Sequence, residues 1–313
     1  MKTAYNQTSS QPLPDYANGV TLGLQELMVY KQQAVRWLPP AKSLWATALG
    51  QHQSRQLGRG MDFAEVRQYQ PGDDIRTIDW RVTARTGKPH TKLFTEEREK
   101  PVVLYIDLSR SLFFGSTYLL KSVQLGHMVS LIAWLSLAQK DRIGAVIDTG
   151  AALIELRPSN RMQGPLGILQ QLIDHHNQLL TAPVDSPTVS FTRALETLRR
   201  LCSKGSEIVM LSDFTRFESQ HDTLIGQLRQ HNRVRMVQFW DPLEQGNTEF
   251  RGIEQVSDRS TTQWLDFASK QTRTVLANSF QARQDALKST ALSHGVSFSS
   301  ISSAKPLLQQ LFG

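Results

Sequence analysis

From Pro101 onward, short apolar runs alternate with longer stretches whose apolar residues recur every three to four positions. Pro101 to Ile106 reads as a buried strand. Leu119, Leu120, Val123, Met128, Leu131, Ile132 and Leu135 then follow helical spacing, which predicts a long helix packed on a sheet. Ile143 to Ile147 is a second strand, and Asp148-Thr149-Gly150 turns it into an antiparallel edge partner at Ala152 to Leu156. Helices near 162–180 and 190–203 lead to a strand from Glu207 to Leu211, a helix near 219–230 and a strand from Arg233 to Trp240. A hairpin around Gly246 to Val256, a long helix near 261–292, a strand at Val296 to Ser300 and a closing helix from Lys305 complete the pattern. Strands alternating with helices predict an α/β fold with a doubly wound, mostly parallel sheet.

Residues 20–100 follow another rule. Leu22 to Trp37 has helical spacing and stops before Pro39-Pro40. Gly58 to Gln70 is punctuated by glycine and rich in charge. Pro71-Gly72-Asp73-Asp74 predicts a turn and a helix cap, with Ile75, Ile78 and Val82 on one face of a short helix. His90 to Thr95 alternates as a strand does. The expected organisation is a disordered polar tail over 1–19, an N-terminal helix and β-rich appendage over 20–100, and the α/β domain over 101–313.

Composition narrows the function classes. The one cysteine, Cys202, excludes an internal disulfide framework and a cysteine-based zinc site, and its expected place is a buried helical position. The longest apolar run, around Met128 to Ala138, falls well short of the ~20 residues that span a bilayer, and the N-terminus lacks a signal-peptide pattern, so a cytoplasmic protein is expected. The formal charge of +7 is spread thinly: residues 51–100 hold 10 basic and 8 acidic side chains. Nucleic-acid binding needs a concentrated basic face, and none is present in the sequence. Arg59, Arg67, Arg76, Arg81 and Arg85 lie among Asp62, Glu65, Asp73, Asp74 and Asp79, which suits an internal ion-pair lattice or a docking surface. Trp80 is expected in core or interface packing, and His175-His176 on a solvated helix face.

The candidate chemistry lies in Asp107-Leu108-Ser109-Arg110-Ser111, directly after the first strand of the domain. Ligands of open α/β sheets bind beyond the carboxyl ends of the strands. Oxygen donors suit a hard dication such as Mg²⁺ (or Mn²⁺ or Ca²⁺). Ser212-Asp213 follows the strand Glu207 to Leu211 and places a second carboxylate on the same sheet edge. In this reading Ser109 and Ser111 offer neutral oxygens to the metal while Asp107 and Asp213 hold its waters, leaving it electrophilic toward a partner's carboxylate. The plainer alternative makes Asp107 a helix N-cap and the serines ordinary turn residues.

The run Pro101 to Ser111 with Ser212-Asp213 resembles a von Willebrand factor A-type domain. A more specific resemblance lies in Gly58-Arg59-Gly60-Met61-Asp62-Phe63, Val66-Arg67-Gln68-Tyr69-Gln70-Pro71-Gly72-Asp73-Asp74, Ile78-Asp79-Trp80 and Thr83-Ala84-Arg85-Thr86-Gly87-Lys88. With Glu96-Glu97-Arg98-Glu99 and Trp240-Asp241-Pro242, this pattern is similar to the bacterial domain-of-unknown-function family 58 over roughly residues 45–245. The resemblance implies a von Willebrand A-like sheet with a β-rich N-terminal insertion. It also implies a metal-ion-dependent adhesion-type site and a MoxR-type AAA+ ATPase partner in the assembly or remodelling of client proteins. One departure stands out: the threonine such sites take from the loop before the helix containing Ala194-Leu195 is replaced by Val189, with Thr188 and Ser190 beside it. Thr188 is the candidate substitute.

A non-enzymatic adaptor is therefore expected, with a Mg²⁺-dependent phosphatase or phosphotransferase as the alternative. A phosphatase of the haloacid-dehalogenase type needs an acid two residues after its nucleophilic aspartate, and that position is Ser109. No P-loop run accompanies Thr86-Gly87-Lys88.

Overall fold

The computed structural model describes residues 12–36, 61–96, 101–182, 188–257 and 262–312. They fall into two compact units, a smaller one over His52–Glu99 and a larger one formed by the rest. In chain order, α1 (Leu24–Arg36) belongs to the larger unit, and β1 (Met61–Gln68), α2 (Trp80–Thr86) and β2 (His90–Glu96) to the smaller. The larger unit continues with β3 (Pro101–Asp107), α3 (Lys121–Ala138), β4 (Arg142–Asp148), β5 (Leu153–Ser159), α4 (Gln163–Thr181) and α5 (Phe191–Leu201). It is completed by β6 (Glu207–Ser212), α6 (Asp222–His231), β7 (Arg233–Trp240), β8 (Ile253–Ser257), β9 (Thr262–Asp266), α7 (Lys270–Ser293), β10 (Ser297–Ser302) and α8 (Leu307–Phe312).

Six strands form the central sheet in the order β10-β7-β6-β3-β4-β5. All neighbours are parallel except the edge pair β4–β5. Counted from β3, this is the doubly wound order 3-2-1-4-5-6, whose direction of winding reverses between β3 and β6. Side chains alternate across the pleat. Val102, Leu104 and Ile106 enter one core with α1, α3, α4 and α8, while Val103 and Tyr105 enter the other with α5, α6 and α7.

The helix α3 is buried along Lys121 to Ser136, because α1 covers the face that a two-layer packing would leave in water. Its polar residues are stitched to neighbours: Ser130 Oγ donates to Leu27 O at 2.6 Å, and His127 Nε2 meets Glu26 Oε1 at 2.5 Å. Leu27, Tyr30 and Ala34 of α1 join the core, so this helix groups with the sheet and not with the smaller unit. Residues 12–19, within the expected tail, are engaged too: Tyr118 Oη donates to Pro12 O at 2.8 Å and Leu120 N to Gly19 O at 3.0 Å. Residues 1–11 lie outside the described residues.

Three local expectations change. Residues 262–266 form β9, paired with β8, and the helix starts only at Lys270 because Ser269 caps it. His176 is buried on Ser122 Oγ at 2.9 Å instead of solvated. Cys202 sits just past α5, half-buried, with its thiol pushed up to about 12 by burial.

In the smaller unit β1 and β2 form an antiparallel ribbon with a bulge between Phe63 and Glu65. The single short helix expected there is broken in two: Ile75–Thr77 is a 3₁₀ turn, and Asp79 caps α2 by accepting from Arg81 N and Val82 N. Of the expected arginine lattice the described side chains include Arg67–Asp73 at 2.7 Å, while Asp79 pairs with Lys92 at 3.4 Å, a residue outside it. Arg76, Arg81, Arg85 and Trp80 face solvent, and Arg59 lies outside the described residues.

Candidate functional site

Four neighbouring parallel strands each end at, or just before, a buried aspartate: Asp107 after β3, Asp148 after β4, Asp213 after β6 and Asp241 after β7. Each makes the same local contact. One carboxylate oxygen accepts the backbone N–H two residues on, from Ser109 (2.8 Å), Gly150 (2.8 Å), Thr215 (3.1 Å) and Leu243 (3.0 Å). These Asx turns satisfy the backbone where a strand leaves the sheet. Asp107 thus closes an Asx turn and does not cap a helix: the short 3₁₀ turn Arg110–Leu112 that follows has Ser109 at its N-cap.

The remaining carboxylate oxygens differ in their partners. Asp148 Oδ2 takes Arg216 Nη1 at 2.7 Å and Tyr105 Oη at 2.8 Å. Asp213 Oδ2 takes Lys121 Nζ at 3.1 Å. Asp241 Oδ2 accepts from Ser116 N at 2.9 Å and Ser303 Oγ at 2.6 Å. Asp107 Oδ2 accepts only the neutral Ser212 hydroxyl, at 2.6 Å. Burial, together with the nearby carboxylates of Asp213 and Asp148, pushes the Asp107 carboxyl up to about 6. Asp213 goes the other way: burial opposes its charge, but Lys121 and the Thr215 N–H outweigh it and hold the carboxyl below its usual range.

Asp107 and Asp213 flank the point where the winding reverses, since β3 and β6 are hydrogen-bonded neighbours. A chain of hydroxyls runs from the Asp107 turn to Asp213. Ser109 Oγ lies 3.3 Å from Ser111 Oγ, which lies 3.1 Å from Thr215 Oγ1. Thr215 Oγ1 donates to Asp213 Oδ1 at 2.9 Å. That spends the only hydroxyl proton of Thr215, and Ser111 likewise hydrogen-bonds toward the Asp213 carboxylate. Ser109 is buried and Ser111 half-buried.

The profile of the family described as "Protein of unknown function DUF58" matches residues 65–286, well over half of the sequence. The chain belongs to the DUF58 family. An uncharacterized protein of Mycobacterium tuberculosis (strain H37Rv) is 31% identical over 171 residues, 53% of this chain and 50% of the relative. The chain thus spans about half the length of the curated relatives it matches. Among solved structures, BatB from Bacteroides thetaiotaomicron is 13% identical over 61% of this chain and 98% of its own, with a TM-score of 0.35. The SpRpn10 VWA domain is 13% identical over 68% of this chain and 94% of its own, with a TM-score of 0.37. The fold of the DUF58 chain is α/β, a doubly wound and mostly parallel sheet with one antiparallel edge strand.

Of the residues singled out in the DUF58 sequence, Asp107, Ser109, Ser111 and Asp213 come together. Thr188 does not join them: its hydroxyl donates to Ala151 O at 3.0 Å, and the neighbouring Val189 carbonyl accepts from Arg216. Thr215 supplies the hydroxyl instead. Its signal was present in the sequence, since Asp213-Phe214-Thr215 repeats the spacing of Asp107-Leu108-Ser109. Lys121 had no such signal, lying at the start of an apolar helix and far in sequence from both acids it touches, Asp213 and Glu244 (2.7 Å).

Among the described residues no group of three His, Cys, Asp or Glu side chains is arranged to hold a metal ion. The donor set that fits a hard dication is mostly hydroxyl: Ser109, Ser111, Thr215 and one Asp213 oxygen. An open cleft of about 900 Å³ lined by Leu153, Glu155, Val189, Arg193 and Arg200 includes none of these groups. No described helix is long and apolar enough to cross a membrane.

Proposed function

We propose that this chain is a non-enzymatic protein-binding adaptor whose sheet edge holds a divalent cation, Mg²⁺ or else Mn²⁺ or Ca²⁺, in a metal-ion-dependent adhesion-type site. Ser109, Ser111 and Thr215 would hold it through hydroxyl oxygens and Asp213 through Oδ1, with Asp107 behind them ordering the loop. When bound, the ion supplies a Lewis-acidic position for a carboxylate brought by a partner. The observation that carries this reading is the hydroxyl chain ending on Asp213 at the winding reversal. A von Willebrand A-like fold suits protein interaction, and the partner consistent with the family resemblance is a MoxR-type AAA+ ATPase acting on client proteins.

Asp107 is poorly placed to be the nucleophile of the alternative phosphatase. It is fully buried, and its oxygens are occupied by Ser109 N and Ser212 Oγ.

The test pairs metal binding with capture. Thr215→Val should weaken Mg²⁺ binding at least tenfold in calorimetry, whereas Thr188→Ala should leave it unchanged. A co-expressed MoxR-type ATPase should be retained on the immobilised chain in Mg²⁺ and released by chelator. Equal retention under both conditions refutes the metal-dependent grip, and steady Mg²⁺-dependent turnover of a phosphate ester would replace the adaptor with an enzyme.

A further inference from the structure

Lys121 occupies the first position of α3, where the helix dipole disfavours a cation. It is also almost completely buried, at 1% exposure. Neither circumstance suits an unpaired ammonium. Both are met by its partners: Nζ bonds Asp213 Oδ2 at 3.1 Å and Glu244 Oε1 at 2.7 Å. Glu244 is itself fixed, because its other oxygen accepts from Asp241 N at 2.9 Å. The ammonium is therefore seated, by an anchored carboxylate, against the acid of the hydroxyl cluster.

We infer that Lys121 is a resident counter-cation that competes with the dication for Asp213 and so sets how tightly the site holds metal. This rests on the metal reading proposed above. Asp213 is shared between the two: Oδ1 belongs to the Thr215 side and Oδ2 to Lys121. Two cations on one carboxylate repel at short range in a poorly solvated site. Metal entry must therefore loosen the Lys121–Asp213 contact, leaving the ammonium on Glu244. The site becomes an exchange between an internal monocation and an external dication, with low occupancy at low metal concentration and release that restores the ion pair.

The experiment measures Mn²⁺ binding to the full chain by electron paramagnetic resonance after chelator treatment. Lys121→Gln keeps a hydrogen-bond donor and removes the charge; it should bind Mn²⁺ at least tenfold more tightly than the unaltered chain. Lys121→Arg keeps the charge and should bind as the unaltered chain does. Equal or weaker binding by folded Lys121→Gln overturns the inference. Should that variant fail to fold, the unaltered chain still decides, through the ¹⁵N signal of the buried Lys121 ammonium during a Mg²⁺ titration. A shift that tracks occupancy supports the exchange, and a constant signal while metal binds refutes it. The two readings separate cleanly. Metal binding insensitive to Lys121 removes only the counter-cation, binding by Lys121→Gln alone removes only the dication of the unaltered chain, and no binding by either removes both.

Discussion

Replacing Asp107 with asparagine should stabilise the metal-free protein above neutral pH, although the residue lies at the centre of the candidate site. Its carboxyl is fully buried, faces only neutral donors, and is pushed up to about 6 from an ordinary 3.8. The folded chain therefore binds that proton more tightly than the unfolded chain. Between roughly pH 4 and 6 the folded state carries more protons, so stability falls as pH rises through that window. At pH 7.5 both states are ionised, and the folded one bears the full penalty of about 3 kcal/mol, from about 1.4 kcal/mol per pH unit over two units. Asparagine keeps an acceptor for Ser109 N but turns a donor toward Ser212 Oγ, which already accepts from Phe214 N at 2.8 Å. Reorganising that hydroxyl costs about 1 kcal/mol. The net expectation is a gain of about 1–2 kcal/mol at pH 7.5 in chelator, disappearing toward pH 4. Urea unfolding followed by tryptophan fluorescence at both pH values measures it. A variant less stable than the parent at pH 7.5, or a difference independent of pH, would refute the burial argument.

Two further outcomes probe the frame around the site. Arg216→Ala should destabilise the larger unit by about 3–5 kcal/mol in thermal or urea unfolding, because it strands the buried Asp148 carboxylate. Adding Asp148→Asn to it should recover part of that loss. Gly144→Ala should lower stability by about 1–3 kcal/mol, since a Cβ there would lie 2.6 Å from Leu156 O and 2.8 Å from Pro158 N at the irregularity of the β4–β5 pair. A melting temperature unchanged by Gly144→Ala would mean that the edge strand yields more readily than its register implies.

The sheet was legible because its strands are continuous apolar runs and its helices carry a 3.6-residue period, two patterns that need no partner to be recognised. The β8–β9 hairpin was misplaced for the opposite reason. Among its described side chains Trp264 is 68% exposed and Ile253 64%, so these apolar residues follow no buried face that would impose a period. At the site, Asp107, Ser109, Ser111 and Asp213 were readable from their position after strands. Arg216 and Lys121 were not, since each pairs with an acid at least 68 residues away through packing that local spacing does not encode. Threonine at 188 was favoured by proximity to a missing hydroxyl, yet the turn after β4 takes its side chain for Ala151 O.

The four aspartate turns carry a consequence for descent within the family. Each of these acids secures a strand exit, and folding alone would retain Asp148 and Asp213 for the buried cations they pair with, whereas asparagine would serve the turn at 107. On the proposed metal reading, lineages would then gain or lose an ion by exchanging alcohol side chains at positions 109, 111 and 215, with no unfoldable ancestor in between. An acidic sheet edge in a distant cousin would thus mark shared architecture, and its alcohols would be the better guide to shared chemistry.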